Sequence, residues 1–138
     1  METVHQTIKG LCTRTTTYMH SAQMLIKEQD YNSAVSRIYY AMFYRVQAIL
    51  LTQNVSASTH TGTAQKFGEL FIKTGVFPKE FSRHLAYAME RRSKGDYEVF
   101  SPIDAETAID LLQTASIFNQ ELLSYLIADG FEEQIWKR

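Results

Sequence analysis

Apolar residues recur at three- and four-residue spacings along most of the chain, and the strict alternation of a half-buried strand is absent throughout. The pattern therefore reads as helices joined by short polar segments. Tyr18, Ala22, Leu25 and Ile26 form the stripe of a first helix that runs to about Glu28. Gly10 and the threonine-rich stretch 13–17 weaken its extension back through Ile8 and Leu11. Asp30, Asn32 and Ser33 offer N-cap chemistry for a second helix, about Asn32–Thr52. Within it, Ile38 to Tyr44 is apolar or aromatic on every side. A helix with no clean polar face is central, or has one face covered by a second subunit. After a Ser/Thr/Asn-rich loop from Gln53 to about His60, a third helix is expected over Thr61–Lys73, with Phe67, Leu70 and Phe71 inward. Thr74 and Gly75 end it, and Pro78 opens the next segment. The fourth helix, about Lys79–Lys94, buries Phe81, Leu85, Ala88 and Met89, with Gly95 as its stop. Ser101 as N-cap and Pro102 at the first position start a fifth helix that reaches about Ala128, before Asp129 and Gly130. The expectation is an all-α, up-and-down bundle of four to five helices. It forms one domain over 1–138, with a core of about 15–128 and a short tail from 129.

Composition agrees with that picture and removes several classes. At 138 residues, with 45% hydrophobic and 21% charged positions, the chain is one globular domain able to bury a core without staples. One cysteine, Cys12, excludes an intramolecular disulfide framework and a cysteine metal cluster; it reads as a small packing residue. The N-terminal residues lack a signal-peptide pattern, and no apolar run approaches the roughly 18 residues of a membrane span. A soluble, cytoplasmic protein is the expectation. The net charge of −1 hides a partition: residues 1–95 hold 12 of the 14 Lys/Arg and 6 of the 15 Asp/Glu, and the remainder holds 2 and 9. Either the helix surfaces simply differ in sign, or a basic face meets an anion while the acidic face does not.

The four histidines, His5, His20, His60 and His84, are scattered, and no Glu-x-x-His pair is expected on an inward face, so no metal site or other cofactor is expected. Neither a P-loop nor a dinucleotide-binding turn is present. One position breaks its local pattern. Phe81, Leu85, Ala88 and Arg92 follow one another at four, three and four, so Arg92 falls on the apolar stripe. It reads either as a C-terminal arginine that complements the helix dipole or as the bidentate fork of a phosphate site. Arg91 belongs to the neighbouring face with His84 and Tyr87. Arg37 and Arg45, eight apart on the second helix, line a cleft or pair with acids of another helix.

The string YNSAVSRIYYAMFY (31–44) resembles the second helix of the HEPN family, nearest its stand-alone small proteins. THTG (59–62), FGELFIKTG (67–75) and RSKGDY (92–97) match in the same order, so the resemblance spans about residues 15–127. It implies a helical bundle that forms homodimers, with two copies of the helix-four motif along a shared cleft. It also implies a metal-independent endoribonuclease of toxin type, paired with a small nucleotidyltransferase antitoxin. The family motif is an Arg, a polar residue, and a His after four to six intervening residues. Carried over, Arg92 is the Arg, Ser93 the polar residue, and Tyr97 stands where the His would be, with Asp96 beside it. Metal-free RNA cleavage needs a proton acceptor for the 2′-hydroxyl and a cation for the phosphorane. Histidine titrates near about 6.5 and tyrosine near about 10, so Tyr97 is a poor general base. The tyrosine that some toxins of this kind carry for silencing by adenylylation is replaced here by Val99.

The sequence thus predicts a single-stranded-RNA-targeting module. Arg92, Ser93, Asp96 and Tyr97 form its catalytic set, and Arg83, Arg91 and Lys94 are RNA-binding cations. The alternatives are a non-catalytic nucleotide- or RNA-binding partner of a nucleotidyltransferase, and a structural dimerisation bundle. Tyr39, Tyr40, Phe43 and Tyr44 read as core or dimer packing, and His60, beside a helix start, as a local cap or interhelical contact.

Overall fold

The computed structural model describes residues 3–97, with the backbone alone at Tyr97, and 102–131. Most of these residues are helical, and none of them lies in a strand. The elements are α1 (Val4–Lys27), α2 (Tyr31–Leu51), α3 (His60–Phe67), a π-helical turn (Gly68–Ile72), α4 (Glu80–Tyr97) and α5 (Ala105–Ala128). No helix among them is long and apolar enough to cross a membrane.

The caps follow local chemistry. Thr3 and Gln6 form a reciprocal capping box on α1, and Asp30 accepts from Ser33 N at 3.3 Å to start α2. Gly75 ends the third segment with φ +81°, the left-handed conformation expected of a glycine stop. The helix α1 runs unbroken through Gly10 and the threonines. Thr15 is buried and donates to the Ala41 carbonyl of α2 at 2.8 Å, so its hydroxyl serves packing instead of competing with the helix.

Three expected boundaries change. The third segment does not continue as one α-helix. It widens at Gly68–Ile72, where Lys73 N bonds Gly68 O at 2.9 Å; the stripe of Phe67, Leu70 and Phe71 reads alike for either geometry. Gly95 does not stop α4, which passes through it to Tyr97. A Cβ at Gly95 would lie 2.9 Å from Ile103 Cδ1, so this glycine admits a close approach. The cap of α5 is Asp104, accepting from Thr107 N at 2.8 Å, and Pro102 precedes the helix; Ser101 lies outside the described residues.

Asn32, in the first turn of α2, holds that corner together. Its Nδ2 donates to Gly95 O at 3.1 Å, and its Oδ1 accepts from Ile103 N at 2.9 Å. The end of α4 and the approach to α5 are thereby tied to α2.

The helix α2 is the axis of the bundle, with α1, α3, α4 and α5 packed around it. Ile38, Tyr39, Met42, Val46 and Ile49 are buried along it, against Ile8 and Cys12 of α1 and Leu122 and Leu126 of α5. A second aromatic focus joins Phe67, Phe71, Phe77, Phe81 and Phe118. Each such ring is worth about 1.5–3 kcal/mol by burial. The aromatic wrap of α2 is largely absorbed within the chain, which removes the argument for a second subunit drawn from that wrap.

Candidate functional site

Arg92 follows Phe81, Leu85 and Ala88 on the inward stripe of α4; those three are buried, and its own side chain is only 20% exposed. The stripe carries the guanidinium to α2, where its carbon lies 5.2 Å from the centroid of Tyr40, a cation–π distance. Asp96, one turn on, brings Oδ2 to 3.0 Å from Arg92 Nε. Nε is buried and its N–H is not aligned on the carboxylate, so the contact is an ion pair without a formed hydrogen bond. The other guanidinium N–H groups bond none of the described residues, leaving a fork for an oxyanion.

Beside this fork lies His60. It is the first residue of α3, positioned by Thr59, whose hydroxyl accepts from Gly62 N at 2.9 Å. A Cβ at position 62 would come within 2.8 Å of that hydroxyl, so glycine is needed for the cap to close. The His60 ring lies 4.6 Å from Phe43 and 5.8 Å from Tyr40, the ring on which Arg92 sits. Its Nδ1 is 2.6 Å from the Tyr39 hydroxyl. Burial, then the nearby Arg92 charge, push the His60 pKa below its ordinary value. Burial, reinforced by Tyr40 and opposed by Arg92, pushes the Tyr39 hydroxyl far above its own, so Tyr39 keeps its proton. That proton has one acceptor among the described residues, His60 Nδ1. In the resting arrangement Tyr39 therefore donates, and the imidazole carries its hydrogen on Nε2.

Tyr39, Phe43, His60, Leu85, Met89 and Ser93 line a groove of about 510 Å³ between α2, α3 and α4, with Lys94 on its rim. Ser93, Lys94 and Glu90 thus border the same groove as His60, while Arg92, paired with Asp96, reaches Tyr40 from the inward stripe of α4. Arg91 does neither. Its guanidinium lies 5.4 Å over Tyr87 and ion-pairs Glu90 at 2.9 Å, while His84 and Tyr87 border a separate 190 Å³ hollow with Glu106 and Asp110 of α5. Arg83 is exposed and paired with Glu80 at 3.3 Å. Tyr97 closes α4, and its side chain, like Val99, lies outside the described residues.

His60 stands where sequence reasoning placed a local cap or interhelical contact. The interhelical contact expected of it exists, but that contact also sets its tautomer and holds it near Arg92. Its one local signal was a histidine at a Thr-capped helix start. The arginines of α2 fall elsewhere: Arg37 stacks over Tyr18 at 4.7 Å, and Arg45 is buried under α5, donating to the Asn119 carbonyl at 3.1 Å. Neither pairs with a carboxylate among the described residues. Cys12 is buried, and desolvation raises its thiol pKa, as befits a packing residue.

A helical bundle with a charged motif at the end of its fourth helix defines the class, and sequence comparison agrees with it. The HEPN domain model matches residues 8–125. The chain belongs to the HEPN family. It is 37% identical over 100 residues to a UPF0332 protein of Thermotoga maritima, covering 72% of this chain and 76% of that one. It is similar to two proteins of Methanocaldococcus jannaschii: "Putative toxin MJ0142", 36% identical over 80% of this chain and 75% of that one, and "Putative toxin MJ0605", 31% identical over 72% and 74%.

Proposed function

We propose that the protein is a toxin-type HEPN module that takes single-stranded RNA along the α2–α4 groove and cleaves it without a metal ion. The observation that carries this reading is the meeting of a guanidinium and an imidazole on one ring, Tyr40. Arg92 holds the scissile phosphate and offsets the charge of the phosphorane. His60, neutral at physiological pH because its charged form is disfavoured, is the proton acceptor that Tyr97 is not. To act as base at Nε2 it adopts its other tautomer, with Nδ1–H donating to the Tyr39 oxygen. Ser93 and Asp96 position the strand and the arginine, and Lys94 meets a neighbouring phosphate. Among the described residues no three His, Cys, Asp or Glu side chains converge.

A homodimer across this groove, with a nucleotidyltransferase as antitoxin, completes the proposal. The toxin names of the relatives and the apolar floor of the groove, Phe43, Leu85 and Met89, support it. One observation favours a second reading, binding without cleavage: the Tyr39 proton has no described acceptor except His60, which holds the imidazole as a donor. Incubation of purified protein with generic RNA in EDTA separates the two. Cleavage lost in both Arg92→Ala and His60→Gln supports the first reading. Binding without cleavage, weakened by both substitutions, supports the second. Cleavage that needs added magnesium contradicts the proposal.

A further inference from the structure

On the far side of α2, α1 and α5 border with it an open cavity of about 450 Å³, lined in part by Thr15, His20, Arg45, Ser116 and Asn119. Arg45 is 3% exposed. Its terminal N–H bonds a backbone carbonyl, but its Nε is buried without a hydrogen-bond partner among the described residues. No carboxylate among the described residues pairs with it, and the Cys12 thiol is held protonated by burial. Asn119 is 6% exposed, and both polar atoms of its carboxamide are buried without a partner among the described residues. A buried cation is costly unless paired, and a buried amide is costly unless hydrogen-bonded. Here both lie at one cavity, and arginine cannot shed its charge to relieve the cost.

We propose that this cavity is a binding site for a small oxyanion, the carboxylate or phosphoryl end of a metabolite-sized ligand, with Arg45 as counter-charge and the Asn119 amide as second donor. A planar guanidinium beside an amide N–H fits an oxyanion better than a spherical halide. The site is independent of the Arg92 groove, from which the bundle axis separates it.

Calorimetric titration of the full chain with inorganic phosphate, and separately with acetate, at ionic strength held constant with chloride, tests the proposal. Saturable binding of either ion is expected, and the one that binds tells a phosphoryl from a carboxylate ligand. Arg45→Met should weaken it about tenfold or more, the value of a charge-assisted bond. Arg92→Ala removes the other fork open to an oxyanion, so the titrations are repeated in that background, where the Arg45-dependent binding should persist. Asn119→Asp places a carboxylate in the cavity; it should raise the melting temperature without oxyanion and abolish the response to it, which keeps the test decisive even if Arg45→Met does not fold. Binding no stronger than that of chloride, wild-type affinity in Arg45→Met, or a less stable Asn119→Asp that still responds would each overturn the proposal.

Discussion

Arg92 and His60 owe their properties to what surrounds them. Arg92 was legible because an arginine broke an apolar stripe within one helix. The Tyr39–His60 bond joins residues 21 apart through the crossing of α2 and α3, and no local spacing reports such a crossing. The lowered His60 pKa has a consequence for stability. The folded-state value lies below the unfolded value of about 6.5, so the unfolded chain binds a proton on His60 that the folded chain resists. Stability contributed by the neutral imidazole is therefore lost as pH falls below about 6.5. Thermal melts should show the wild type losing stability between about pH 7 and 5 more steeply than His60→Gln; parallel curves would refute this. Removing Arg92 should lower metal-free cleavage by about 30- to 1,000-fold, the equivalent of about 2–4 kcal/mol of transition-state stabilisation. Single-turnover rates in EDTA measure it.

At the scale of elements, local chemistry located the helices, and tertiary contacts moved their ends. Asp30, Gly75 and the aromatic α2 were readable because caps, left-handed glycines and apolar runs act within a few residues. Gly95 was misread as a stop because its use, a close approach to Ile103 beside Asn32, depends on two other elements. Asn32 bonds both segments at that corner, so Asn32→Ala leaves the Gly95 carbonyl and Ile103 amide without it. A loss of about 1–3 kcal/mol is expected in urea denaturation, and a cost within error of zero would show that the corner is held otherwise. Thr59→Ala removes the cap that sets the first turn of α3 and should cost about 0.5–2 kcal/mol. Because His60 sits in that turn, the same substitution should weaken RNA binding without touching a charge.

Across the whole molecule, the charge partition visible in the sequence becomes selective once the helices are placed. The cations of α4 are differently placed: Arg83 and Arg91 pair with glutamates of their own helix, and Arg91 lies over Tyr87. Lys94 also approaches Glu90, at 3.6 Å, yet it borders the groove. RNA affinity should therefore fall as salt rises, with a slope reduced by Lys94→Ala and nearly unchanged by Arg91→Ala or Asp110→Asn. Equal slopes for Lys94→Ala and wild type would place the RNA elsewhere. In this mechanism Arg92 and His60 act at one scissile linkage, and a double-mutant cycle on single-turnover cleavage of single-stranded RNA in EDTA tests that most directly. Arg92→Ala and His60→Gln should each slow cleavage, and the double variant should be little worse than the slower single one, because both groups act in the same step. Losses that simply add, or a His60→Gln variant that cleaves as the wild type does, would contradict it.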